Sequence, residues 1–258
     1  MLLGSAGAIL YSTYSSWPQV YFMASIIIFI LSIIIQILLR KISSSTVKPL
    51  LKNASSQDSL IDIIRSFGKP VLVTQIVLFL FGYRLADYLI APMLNPLLLT
   101  LGLGPKLIAS AGKTLGMVGA LIGGSIGGII MNYWPLRRCL LSFGLIHTSS
   151  WLCYLWLYFN LSNQNLVITV TLVAISGGMA MAAFIGFITK LSQGQHSGTK
   201  YSFLASIMGL SRTITPLASG IIVENIGWFN FLIIVSCCGL PALVMLKESK
   251  VLNKLCAK

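Results

Sequence analysis

Acid is the scarcest thing in this chain. Of 258 residues only five are Asp or Glu, against eighteen Lys or Arg, and charged residues together make up 9%. A soluble domain carries about a quarter charged residues, so a soluble globular fold is excluded. Disorder is excluded as well, because 56% of the residues are apolar and mean hydropathy is +0.90. No β pattern is credible, since the apolar runs outlast any strand. Cysteine is sparse and odd in number: Cys139, Cys153, Cys237, Cys238 and Cys256 include no Cys-x-x-Cys, and four lie in or beside apolar runs. They read as small hydrophobes, not as bridges or metal ligands. His147 and His196 stand too far apart, and too poor in partners, to suggest a metal site. No metal and no cofactor is expected. The first charged side chain is Arg40, so the basic opening of a cleavable signal peptide is lacking.

What the chain does have is hydrophobic length. A spanning helix needs about 20 mostly apolar residues, and seven stretches qualify: 18–39, 70–94, 113–132, 136–159, 165–189, 200–223 and 228–247. The expected class is therefore all-α, a polytopic transmembrane helix bundle. Residues 1–14 are apolar but too short to cross at about 1.5 Å per residue. The net charge of +13 would suggest nucleic acid in a soluble protein. Here the basic residues sit between apolar runs, so no nucleic acid is expected. Fourteen of the eighteen fall on alternate connections: 40–69, Arg137 and Arg138, Lys190 and Lys200, and the tail from Lys247. The opposite connections hold only Lys106. By the positive-inside bias the basic sides and the C-terminus are cytoplasmic. The stretch 41–69 is the one long polar segment and reads as a cytoplasmic linker, with room for a short amphipathic piece at 59–67. Residues 248–258 read as a basic cytoplasmic tail.

Few charges remain inside the membrane, where each costs roughly 2.5–3.5 kcal/mol and normally faces protein or water. Arg84 and Asp87 are three residues apart and share a helix face. They are either a self-neutralised pair pinning two helices, or a site in which Arg84 holds an anion and Asp87 exchanges a proton. Arg212 lies mid-span, four residues before Pro216. It either caps carbonyls freed by that proline or contacts an anion in a central cavity. Lys113 is nearer a span end and can snorkel to the interface. The spans 136–159 and 228–247 lack charge beyond their cytoplasmic ends and read as lipid-facing. Two runs of small residues, around Gly123–Gly128 and around Gly177–Ala183, allow either close helix packing or a flexing gate.

These residues resemble the AmpG-type muropeptide permeases of the major facilitator superfamily. Tyr83-Arg84-Leu85-Ala86-Asp87 resembles that family's Tyr-Lys-Leu-Gly-Asp on helix seven. Lys113-Thr114-Leu115-Gly116 resembles the opening of helix eight, and Gly177-Gly178-Met179 its helix-ten stretch. Arg212, Pro216 and Gly227-Trp228 resemble helix eleven and the turn into helix twelve. Gly128 through Arg137-Arg138 is similar to the superfamily's Gly-x-x-x-Asp…Arg-Arg loop, with Asn132 where an Asp is common. The matches keep order and spacing over about residues 70–247.

The resemblance implies the C-terminal half of a major facilitator fold. Residues 1–40 would be the end of helix five and helix six of a missing N-terminal bundle, 41–69 the central loop, and 70–247 a six-helix bundle. Helices seven, eight, ten and eleven would line the cavity, and nine and twelve would face outward. The implied activity, not an enzymatic one, is proton-linked uptake of anhydro-muropeptides (cell-wall sugar–peptides) across a bacterial inner membrane. Arg84, Lys113, Arg212 and Tyr83 would bind substrate and Asp87 would carry the proton. Gly177, Gly178, Pro216, Gly128, Arg137 and Arg138 would serve gating or packing. Lipid is the surrounding partner, and a second chain supplying the N-terminal half, or self-association, would complete the cavity. Val173 and Ala174 depart from the family, which often has an acid and an Asn there. The other readings are a truncated or split remnant acting as a scaffold, and a carrier for another small solute.

Overall fold

The computed structural model describes residues 19, 22, 25–27, 29–37, 70–104, 107–108, 114–194 and 197–249. The chain divides into two units, Met1–Asp58 and Ser59–Lys258. In the first, every described residue between 19 and 37 is helical, and Ile26, Phe29, Ile30 and Ile37 are exposed. The expectations for 1–14, the linker 41–69 and the tail beyond Ser249 lie outside the described residues.

The second unit is built of helices, with no strand among its described residues. The span expected at 70–94 is two helices, α1 (Pro70–Tyr83) and α2 (Leu85–Ile90), because the backbone leaves helical geometry at Arg84 (φ −109°, ψ 9°). Pro92 then ends α2, since its ring clashes with a continuing helix. A short α3 (Leu94–Thr100) follows, and α4 covers Gly116–Tyr133. The 136–159 span is α5 (Leu136–Ser150) with α6 (Leu152–Phe159), separated by Trp151 alone. α7 runs Asn163–Leu191, 29 residues, longer than one crossing requires.

The last helical stretch, Ser197–Glu248, has 52 residues. As one rod at about 1.5 Å per residue it would exceed twice the bilayer core of about 30 Å. It is broken by Gly227 (φ 77°, ψ 168°), inside α8 (Ser197–Cys238), and by Gly239 before α9 (Leu240–Glu248). The left-handed φ at Gly227 is one that a residue with a Cβ adopts only at a cost, and here it separates the two expected spans. Pro216 lies within α8, and the only non-helical backbone inside that helix is at Gly227.

Four stretches are apolar and long enough to cross a membrane: Gly116–Tyr133, Leu136–Phe159, Asn163–Leu191 and Ser197–Glu248. Large side chains such as Leu121, Ile129, Leu217 and Ile221 are 59–74% exposed on their outer faces. Water would penalise so much apolar surface, whereas lipid does not. The molecule is a polytopic membrane protein.

α7 packs most extensively on α4, and next on α5. The α4 contact is made by backbone. Gly119, Gly123 and Gly127 recur every four residues on one face and are buried against α7. A Cβ on Gly123 would overlap the main chain at Ile175, and one on Gly178 would overlap the main chain at Ala120 and Gly124. This is the close approach that small residues permit between membrane helices.

Two apolar cores fill the bundle. One joins Phe79, Leu80, Tyr83, Leu140, Phe143, Phe184, Phe187 and Leu243. The other joins Ala86, Ile90, Trp151, Tyr154, Leu166, Val173 and Phe231.

Candidate functional site

Between the two cores lies a polar cluster. Along α1–α2 it falls between Tyr83 of one core and Ile90 of the other, along α5 between Phe143 and Trp151, and along α7 between Val173 and Ala180. Arg84 Nη1 sits 2.8 Å from Asp87 Oδ2. His147 Nε2 sits 2.6 Å from the other carboxylate oxygen, Oδ1. His147 Nδ1 is 3.1 Å from Ser176 Oγ, and Ser176 donates to Ser150 Oγ at 2.8 Å. Ser150 in turn donates to the His147 carbonyl at 2.7 Å. The side chains of Arg84, Asp87 and His147 are 16%, 15% and 9% exposed. Three ionisable groups and two hydroxyls thus close on one another in a low-dielectric interior, where each contact is stronger than in water.

The depth of the cluster follows from the helices. His147 lies 11 residues from Leu136 and 12 from Phe159, the ends of its span. Ser176 lies 13 residues from Asn163 and 15 from Leu191. Both are therefore near mid-membrane if the spans are centred. Polar groups at that depth are expensive unless they are mutually satisfied or functional.

The cluster opens on a cavity of about 620 Å³. Arg84, Asp87, His147 and Trp151 form its polar side; Ala120, Gly124, Val173, Gly177 and Met181 contribute to the rest. The volume is within the range of small-molecule sites. Arg84 Nε is buried in this wall with no acceptor among the described residues. The Trp151 indole N–H also lies toward Asp87, but outside hydrogen-bond geometry. Gly177 makes room for the imidazole: a Cβ there would stand 3.0 Å from His147 Cε1.

Several residues singled out in the sequence lie elsewhere. Tyr83 does not line the cavity. Its ring stacks on Phe184 at 5.1 Å inside the core, and its hydroxyl donates to the Leu140 carbonyl at 3.1 Å. Arg212 does not line it either and is exposed. The inward face of α8 is Leu204, Ser211, Thr215 and Ser219, and Arg212 is one residue, or about 100°, around from it. The expectation that Arg84 and Arg212 converge on one surface therefore has to be corrected for this cavity. Lys113 is outside the described residues. Arg137 donates through Nη2 to the Lys247 carbonyl at 3.1 Å, which ties the start of α5 to the end of α9. Arg138 is exposed, and no neighbour stands where a Cβ on Gly128 would go. The carbonyl of Pro216 accepts from Ser219 Oγ at 2.6 Å.

His147 is the functional residue that the sequence does not reveal, since it looks poor in partners and lies on a span expected to face lipid. α5 instead buries Leu140, Phe143, Gly144 and His147 on one face, and carries the ring to Asp87. Inward positions recur every three or four residues from Cys139 to Tyr154, and His147 occupies one of them, a face the sequence does not mark.

The sequence comparisons agree with this architecture. The family model described as Major Facilitator Superfamily matches residues 76–254. A protein of Rickettsia conorii named "Putative transporter AmpG 1" is 38% identical over 261 residues, covering 97% of this chain and 63% of that protein. Its namesake in Rickettsia bellii is 36% identical over 260 residues, with 99% and 63% covered. That of Rickettsia prowazekii is 45% identical over 176 residues, 68% of this chain and 40% of the relative. The chain thus spans under two thirds of the length of these relatives.

Proposed function

The chain belongs to the major facilitator superfamily, and from that premise we propose that it forms one side of a proton-linked importer for anhydro-muropeptides. The observation that carries this reading is the buried Arg84–Asp87–His147 cluster facing a cavity of about 620 Å³. Intramembrane charge is retained where a substrate or ion must pass. Arg84 offers a planar pair of donors suited to a carboxylate, of which a muramyl peptide carries several. Asp87 is the proton carrier. In this superfamily the substrate lies between two six-helix halves, so residues 70–247 supply one half and another bundle, on this or a second chain, supplies the other. The protein sits in the bacterial inner membrane with its C-terminus in the cytoplasm, as its basic connections favour.

Vesicles containing the chain, alone and with its best helical partner, test the reading through uptake of labelled anhydro-muropeptide. Uptake is expected to need an inward proton gradient. Asp87→Asn should abolish that dependence while the protein still inserts. Failure of uptake in every combination leaves a non-transporting scaffold or, if another anionic solute enters, a carrier of different specificity. That alternative draws support from Val173 and Ala174, which place an apolar cavity wall where the family often has polar groups.

A further inference from the structure

The hydrogen bonds around His147 can be run in two senses. In the first, Ser150 donates to the His147 carbonyl, and Ser176 donates to Ser150 Oγ at 2.8 Å or to the Val173 carbonyl at 3.0 Å. Ser176 has then used its only hydrogen and turns a lone pair to Nδ1, which must carry a hydrogen itself. The 2.6 Å contact between Nε2 and Asp87 Oδ1 now needs one more hydrogen, on the imidazole or on the carboxyl. In the second sense both hydroxyls rotate. Ser150 donates to Ser176, Ser176 donates to Nδ1, and Nε2–H donates to an ionised Asp87. The heavy atoms do not move, yet the two patterns differ by one proton.

Arg84 gives that difference a consequence. In the second pattern Arg84 and Asp87 cancel, and the cluster is neutral. In the first the cluster carries one unmatched positive charge. Among the described residues, no other ionisable group lines the cavity to neutralise it. α4 has no Asp, Glu, Lys or Arg, and α7 has none between Leu166 and Thr189. On α8, Arg212 and the acid Glu224 are both exposed and off the cavity; on α9, Lys247 and Glu248 lie at the far end. Tyr83 keeps its hydrogen on the Leu140 carbonyl, and Tyr154 stacks on Trp151 within its own core. Arg84 Nε, meanwhile, is buried in the cavity wall without an acceptor.

We propose that Asp87 and His147 hold one exchangeable proton between Oδ1 and Nε2, and that this proton and a carboxylate on Arg84 enter the cavity together. The proton comes from hydronium, whose O–H bond breaks to leave water. One N–H or O–H bond forms at the pair, and the Ser176 and Ser150 hydroxyls rotate to present an acceptor to Nδ1. His147 is thus a positioning residue and half of the proton site, a role this inference adds to the transport reading on which it rests.

The chain has two histidines, so nitrogen-15 imidazole spectra of the full chain in lipid discs resolve the question, with His196→Ala used for assignment. On acidification His147 Nδ1 should change from acceptor to donor. Saturating acetate should raise the midpoint of that change by about one pH unit, the counterpart of about tenfold coupling between anion and proton. Arg84→Gln should remove the acetate effect, and Asp87→Asn should leave Nδ1 in one state throughout. A Nδ1 state indifferent to acetate overturns the proposal, as does transport in His147→Gln whose pH profile matches the parent. The two readings fail separately. If acetate shifts the midpoint and anhydro-N-acetylmuramic acid does not, the proton–anion site stands and the muropeptide assignment falls.

Discussion

At the scale of single residues, the glycines of α4 differ sharply although they look alike in sequence. Gly123 lies on the backbone of α7, with Ile175 carbon at 2.7 Å from where a Cβ would stand, whereas Gly128 has open space. Gly123→Ala should therefore lower stability by about 1–3 kcal/mol, as overpacking does. Gly128→Ala should be neutral or gain up to about 1 kcal/mol from reduced backbone freedom. Thermal unfolding of the two variants in detergent compares them directly; equal midpoints would mean that α4 and α7 are not held by main-chain contact. Gly177→Ala tests a neighbouring point. Its methyl should press on His147 Cε1, leave the bundle folded, and alter the imidazole's environment more than its melting point. The ionisable pair Arg84 and Asp87 could be read from the sequence because charge inside an apolar run stands out. His147 could not, because an uncharged imidazole among Leu, Phe and Ile looks like any other half-polar residue until its face is known.

At the scale of elements, length and hydropathy pointed to a polytopic helix bundle, but the breaks within its helices needed coordinates. The division of the 70–94 span at Arg84 follows no proline; the residue simply leaves helical geometry there and carries its side chain to Asp87. Gly227 was legible as the boundary between two spans, since glycine is the residue that tolerates a left-handed φ. Gly227→Ala should cost roughly 1–2 kcal/mol, the price of a Cβ at φ 77°. The loss should appear as a lower unfolding midpoint, with Pro216→Ala, at a site where α8 stays helical, as the comparison. Orientation about each helix axis was the least legible property. Arg212 and Ser211 are adjacent, yet Ser211 is buried and Arg212 exposed, and apolar neighbours on both sides of a membrane helix hide which face is inward.

For the whole molecule, the alternation of basic connections makes a statement about sidedness that the two ends of α7 can test. Asn160 and Gly194 flank that helix and are both exposed. In a background with the native cysteines replaced, Asn160→Cys should react with an impermeant thiol reagent from outside the cell and Gly194→Cys only after the inner face is opened. The reverse pattern would invert the topology. A row of glycines and its neighbour divide two tasks on α4: Gly119, Gly123 and Gly127 clasp α7, while Ala120 and Gly124 border the cavity. A Cβ on the clasping glycines would meet α7 at 3.0 Å or less, whereas one on Gly124 would meet only ordinary contact at 3.9 Å. The breadth of the chamber can accordingly be retuned by enlarging the side chain of Ala120 alone, on a helix whose grip on the bundle stays the same.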